Sequence, residues 1–195
     1  MEVVGLLTTV NQVHDRVAMH AVRRSLLEEQ AAAVGLPLWP VDIPSPCTND
    51  EYAAAMTRVM DTAHADGIEG IAFGDLFLED VRAYREEQMA KTGIMPLFPI
   101  WGFPTADLPV EMITAGLKAH LTCVDPRSLD RDFVGRDFNQ NLLDDLPDTV
   151  DPCGENGEYH TFVYDGPMFD RAISVVPGRR VEREGFMFAD LNSER

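Results

Sequence analysis

The chain opens on a short apolar run, Val3-Val4-Gly5-Leu6-Leu7-Thr8-Thr9-Val10, whose length and β-branched content predict a buried strand. Beyond Asp15 the apolar positions switch to helical spacing. Met19, Val22, Leu26 and Ala33 share one face, and Gly35 supplies a stop. That helix carries Arg16 and His20 four residues apart on one face, just past the carboxyl end of the first strand with its Thr8, Thr9 and Asn11. Leu36 to Ile43 reads as a second strand, edged by Pro37 and Pro40. Thr48 and Glu51 form a capping-box pattern ahead of an apolar stripe, Tyr52, Met56, Val59 and Ala63, which Gly67 ends. A third strand, Gly70 to Phe73, runs into Gly74-Asp75. A charged helix follows, roughly Leu78 to Ala90, then an extended segment from Met95 to Trp101. Pro109 opens a short helix that stops at Gly116, and Ala119 to Val124 is a fifth strand.

Strands alternating with helices predict an α/β fold with a doubly wound parallel sheet covered on both faces. The rhythm changes after about Asp125. A short helix at Asn139 to Leu146 leads into a Gly-rich loop, Pro152 to Gly157. The tail holds extended segments at Ala172 to Val176, Arg179 to Arg183 and Phe186 to Ala189, with a turn at Val176-Pro177-Gly178-Arg179. Two units are therefore expected: an α/β domain over residues 1–125 and a smaller antiparallel β subdomain over 126–195, packed on it.

Composition narrows the classes. A net charge of −17 opposes phosphate backbones, so nucleic acid is not an expected partner. No apolar run reaches the length of a membrane span, and the N-terminus lacks a basic segment, so neither a membrane nor a secretory leader is expected. Cys47, Cys123 and Cys153 are odd in number and widely spaced, which points to free thiols in a reducing cytoplasm rather than zinc or a redox pair.

Ligands of open parallel sheets bind beyond the carboxyl ends of the strands. Gly74-Asp75 falls there: the glycine allows close approach, and Asp75 suits a metal, a ribose hydroxyl or an amine, or else simply caps the next helix. On that helix Glu79, Arg82 and Glu86 share a face, either as a solvated ion-paired surface or with Arg82 aimed at a carboxylate or phosphate. The stretch from Pro152 to Thr161 brings Glu155, Glu158, His160 and Cys153 together between two glycines. Either carboxylate can bind an ammonium or act as a general base, His160 can do the same at neutral pH, and Cys153 reads mainly as a packing residue. A structural Ω-loop is the plain alternative.

Three motifs in order, Gly74-Asp75-Leu76-Phe77-Leu78-Glu79-Asp80 with Arg82-Ala83-Tyr84-Arg85-Glu86, then Pro96 to Gly102, then Pro152-Cys153-Gly154-Glu155 with Gly157 to Val163, resemble the diphthine–ammonia ligase-like ATP-binding proteins. These belong to the adenine nucleotide alpha hydrolase, or N-type ATP pyrophosphatase, group, and His160 is as in their bacterial branch. The resemblance implies a HUP-like, Rossmann-like sheet of order 3-2-1-4-5, ATP and Mg2+, and a carboxylate activated as an acyl-adenylate that ammonia attacks. It places Gly74, Asp75, Glu79 and Arg82 beside the nucleotide, and Thr8, Thr9 and His20, at the carboxyl end of the first strand, are further candidates for contact with it. Glu155, Glu158 and His160 then face the acceptor, a small-molecule carboxylate or a modified protein residue. A homodimer is compatible with it.

The family's first strand and its Ser-Gly-Gly-Lys-Asp-Ser loop have no counterpart in this sequence, which begins at what resembles the family's second strand. Two explanations follow: a natural start upstream of Met1, or a short protein that has lost ATP chemistry. The intact later motifs favour the first. The function expected is an ATP-dependent, amide-forming ligase, inactive as this truncated chain. The alternative is a non-catalytic adenine-nucleotide or metabolite binder. A tRNA-modifying role is opposed by the acidic charge.

Overall fold

A computed structural model describes residues 1–193. The first half holds two parallel strand pairs. β1 (Leu6–Asn11) lies between β2 (Arg16–Val17), antiparallel to it, and β3 (Leu38–Ile43), parallel to it with Leu6 opposite Leu38 and Asn11 opposite Ile43. β4 (Gly70–Ala72) pairs in parallel with β5 (Met95–Leu97). The helices α1 (Arg24–Val34), α2 (Asn49–Ala65) and α3 (Glu79–Met89) supply the crossovers, and α4 (Leu108–Thr114) leads to the second half. There β6 (Lys118–Val124), β7 (Tyr159–Asp165), β8 (Val175–Arg183) and β9 (Phe186–Ser193) form one antiparallel sheet in the order β7-β6-β9-β8, and α5 (Gln140–Asp145) lies between β6 and β7.

The protein is thus mixed α/β, with parallel and antiparallel sheets and the expected C-terminal antiparallel element. The single doubly wound sheet is not what the described residues form: β1 and β4 do not pair. Nor is β6 a fifth parallel strand. It is a central strand of the antiparallel sheet, bonded to β7 and β9. Six of its seven residues are buried, so the run looks the same in sequence whichever way its neighbours point. A division after residue 125 separates it from both partners.

The helix expected after Asp15 starts only at Arg24. Asp15, Met19 and Ala21 have φ of 50°, 63° and 54°, left-handed values that a right-handed helix excludes. Arg16 and His20 therefore share no helix face. Elsewhere local chemistry is decisive. Thr48 Oγ1 accepts from Glu51 N and the Glu51 carboxylate accepts from Thr48 N, so the capping box is made. Gly35 closes α1 at φ 73°. The first two of the three expected tail segments merge into one strand: β8 runs through Pro177 with a bulge between Pro177 and Arg180.

Four clusters hold these layers. Leu121, Val124, Leu142 and Tyr159 centre the largest, between β6 and α5. Val22 and Leu26 before and on α1 pack on Phe162, Ile173, Val175 and Leu191, so α1 is shared with the antiparallel sheet. Three side-chain links reinforce that contact: Arg16 and Arg23 both bond Asp190, and Gln30 Nε2 donates to Val163 O at 2.7 Å. The third cluster joins the two parallel pairs, since Leu7 of β1 and Ile71 of β4 both pack with Met60, Ala63, Met89 and Ile94. The fourth seats Ala55 of α2 on Val41 and Ile43 of β3. Among the described residues no helix is long and apolar enough to cross a membrane.

Candidate functional site

Three loops meet at Leu76, just past the carboxyl end of β4. Leu76 is 3% exposed. Its N–H donates to Glu155 Oε1 at 2.7 Å, and its carbonyl accepts from Gly102 N at 2.8 Å. Residues 79 apart in sequence are thereby joined, and the loops after β4, after β5 and before β7 converge. Thr105 adds a second link, its carbonyl lying 3.5 Å from Cys153 Sγ.

The loop that carries Glu155 is built from inside. Asp151 Oδ2 accepts from Glu155 N at 2.8 Å, and Asp151 N donates to Glu158 Oε1 at 3.0 Å. Asn156 Nδ2 donates to the same Glu158 oxygen at 3.0 Å. Gly154 sits at φ 68°, and a Cβ there would lie 2.9 Å from Tyr159 O, so both conformation and space demand glycine. The Tyr159 hydroxyl donates to Pro152 O, and burial raises its pKa further from neutrality. Burial first, then the carboxylates of Asp151 and Glu155, push the Cys153 thiol up to about 12. A thiol held that high is seldom a thiolate at neutral pH.

Next to Leu76, Asp75 is taken up by Arg85, whose Nε and terminal nitrogen bond its two oxygens at 2.6 and 3.1 Å. Arg82 makes the ion pair with Glu86 that the helix spacing allows, at 2.8 Å, and lies over the rings of Phe98 and Trp101, at 4.8 and 4.7 Å from their centroids. Glu79 stands exposed at the first turn of α3, and Gly74 is open to approach, with nothing within 4 Å of a built Cβ. Thr8 and Thr9 lie on β1. Among the described residues they make no side-chain hydrogen bond to the Gly74–Leu76 segment, and the Thr9 carbonyl is occupied by Ala18 N.

His20 and His160 were assigned separate partners by sequence, yet their rings lie 4.6 Å apart, tilted by 38°. His20 Nδ1 is 3.3 Å from the Thr161 carbonyl. Burial lowers the pKa of His20, and burial together with His20 lowers that of His160 to about 4, so both rings are neutral at pH 7. His160 thus belongs to a pair on the α1 side of β7.

Sequence reasoning missed two participants: the Leu76 peptide, which carries no side-chain signal, and Asp151, one residue outside the loop read from sequence.

A mixed α/β protein that carries a glycine-bounded acidic loop against the end of a parallel strand is the class these features define. Residues 105–193 match the family described as the diphthamide synthase C-terminal domain. The chain is 26% identical over 186 residues to the diphthine–ammonia ligase of Mus musculus, covering 91% of this chain and 68% of that protein. With that of Bos taurus it is 29% identical over 193 residues, covering 91% and 72%. With that of Homo sapiens it is 30% identical over 151 residues, covering 74% and 56%.

Proposed function

We propose that this chain is the acceptor-side portion of an amide-forming ligase that joins ammonia to a carboxylate activated by ATP. The observation that carries the reading is the Glu155–Leu76 hydrogen bond, which brings the acidic loop to the carboxyl end of β4. Ligands of parallel sheets collect there. Similarity to diphthine–ammonia ligases along most of the chain supports the same reading. A HUP-like sheet is part of the proposal: β1 with β3 and β4 with β5 are two parallel pairs that share a core cluster, as halves of one layer would.

A carboxylate needs a good leaving group before an amine can displace it, and ATP supplies that group. The described residues do not assemble a triphosphate cradle by themselves. Asp75 is closed by Arg85, and Arg82 is held over two rings. No group of three or more His, Cys, Asp or Glu able to hold a metal ion is found among the described residues, so Mg2+ would be held chiefly through the ATP phosphates with one or two carboxylates. The role left to this chain's own residues is to bind and orient the acceptor through the loop that carries Glu155 and Glu158.

The test is to incubate the protein, alone and with an N-terminal extension carrying a phosphate-binding loop, with ATP, ammonium chloride and candidate carboxylates, including a diphthine-bearing protein. AMP and pyrophosphate release together with amide is expected from the extended form, and it falls at least ~100-fold in Glu155→Ala. No ATP consumption with any pair sinks the reading. The sequestered Asp75 favours a second reading, a nucleotide or metabolite binder without turnover. It is supported by AMP and ATP binding alike without hydrolysis.

A further inference from the structure

The semi-buried carboxylates of this protein are paired with arginine in three places: Asp75 with Arg85, Asp125 with Arg127, and Asp190 with Arg16 and Arg23. The loop over residues 151–158 breaks that pattern. Asp151, Glu155 and Glu158 are linked to one another through Asp151, and none of the three has an ion-pair partner among the described residues. Glu158 is the extreme case. It is 4% exposed, Oε1 takes both available hydrogen bonds, and Oε2 is buried with no partner. A buried carboxylate oxygen left unpaired is costly, and positive charge or an N–H donor is what relieves it.

We propose that Glu158 Oε2, backed by Asp151 and Glu155, is the docking point for an ammonium ion. Two features select this cation class. A metal ion wants several protein donors converging on one point, and no such group is found among the described residues. One orphaned oxygen in a field of negative charge instead suits a cation that brings its own N–H donors. Asn156 Nδ2 stays on Oε1, which leaves Oε2 as the acceptor for the cation. The choice of ammonium as the physiological occupant rests on the ligase reading; the unpaired carboxylates do not depend on it.

The experiment is thermal unfolding of the full chain at pH 7 across a series of ammonium chloride concentrations, at constant chloride made up with sodium. A saturable rise in Tm with ammonium, absent with sodium, is expected. Glu158→Gln keeps an oxygen for the Asp151 and Asn156 donors but removes the charge and the free acceptor, and should weaken the apparent Kd at least ~10-fold. Glu87→Gln, exposed on α3, should leave the response unchanged. If Glu158→Gln does not fold, a titration of wild type and Glu155→Gln with 15N-ammonium followed by NMR takes its place, with weaker binding expected in the variant. An equal response to sodium or potassium, or an undiminished response in the variants, overturns the site. A magnesium response that Glu158→Gln abolishes, without an ammonium response, replaces ammonium by a divalent cation and also overturns it. None of these measurements uses ATP or a carboxylate. An ammonium response without amide formation therefore sinks the ligase reading alone, and amide formation without an ammonium response sinks this site alone.

Discussion

The two halves of the molecule spend their backbone hydrogen bonds differently. From β6 to β9 every strand pairs inside one four-stranded sheet, and β6 is buried on both faces. Before residue 105 the strands stop at a three-stranded and a two-stranded group, and among the described residues a shared apolar cluster joins them. Alternation along the parallel strands turns the peptide groups of Leu7 and Thr9 away from β3, and those of Gly70 and Ala72 away from β5. The second half is therefore a finished unit. The first half is held by contacts that no backbone ladder reinforces across its middle. The acidic loop belongs to the finished half and reaches the unfinished one through Glu155.

The largest test of that difference is a pair of truncations. Leu121→Ala, at a fully buried position of β6, should cost about 2–5 kcal/mol in urea unfolding. Leu7→Ala, only half-buried on β1, should cost less than about 2 kcal/mol. Equal losses would mean that the halves are equally well packed.

The loop is probed next. Gly154→Ala must accept both a φ of 68° and a Cβ 2.9 Å from a carbonyl oxygen, and should cost about 2–4 kcal/mol. Gly157→Ala has φ 83° but open space, and should cost about 1–2 kcal/mol. A reversed order in chemical denaturation would show that the loop relaxes around Gly154.

The histidine pair sharpens the comparison through pH. The folded pKa of His160 is about 4 against about 6.5 for an unfolded chain. The unfolded state therefore binds more protons between those values. His160 favours folding fully above pH 6.5, and that contribution drains away as the pH falls towards 4. His20 acts in the same direction, its pKa also lowered by burial. The Tm of wild type should drop between pH 6.5 and 4, and that of His160→Gln should drop less. Matching profiles would take the pair out of the acid response.

The smallest effect is expected in the first half, where Thr48→Ala removes the oxygen that accepts from Glu51 N. It should cost about 1 kcal/mol, read as a modest fall in the urea midpoint. No change would mean that tertiary contacts alone hold the start of α2.

Signals that act over four residues or fewer were legible in the sequence. The Thr48–Glu51 box, the stop at Gly35 and the charged helix after Asp75 are all made as expected. The acidic loop was visible because two glycines bracketing carboxylates have few other uses. The left-handed turns at Asp15, Met19 and Ala21 were not visible. None of these residues is glycine, and the apolar spacing beyond them imitates a helix.

What the sequence by itself determined was which segments are apolar, where helices cap, and that Glu155 and Glu158 lie in a tight turn, because each follows from local sterics and periodicity. Only the tertiary structure decided that β6 runs against β7 and β9, because a strand buried on both faces carries no mark of its neighbours' direction. It alone placed Glu155 on Leu76 and His20 against His160, 79 and 140 residues away, and left Glu158 without a counter-ion. Those are properties of packed neighbours, which spacing along a chain does not encode.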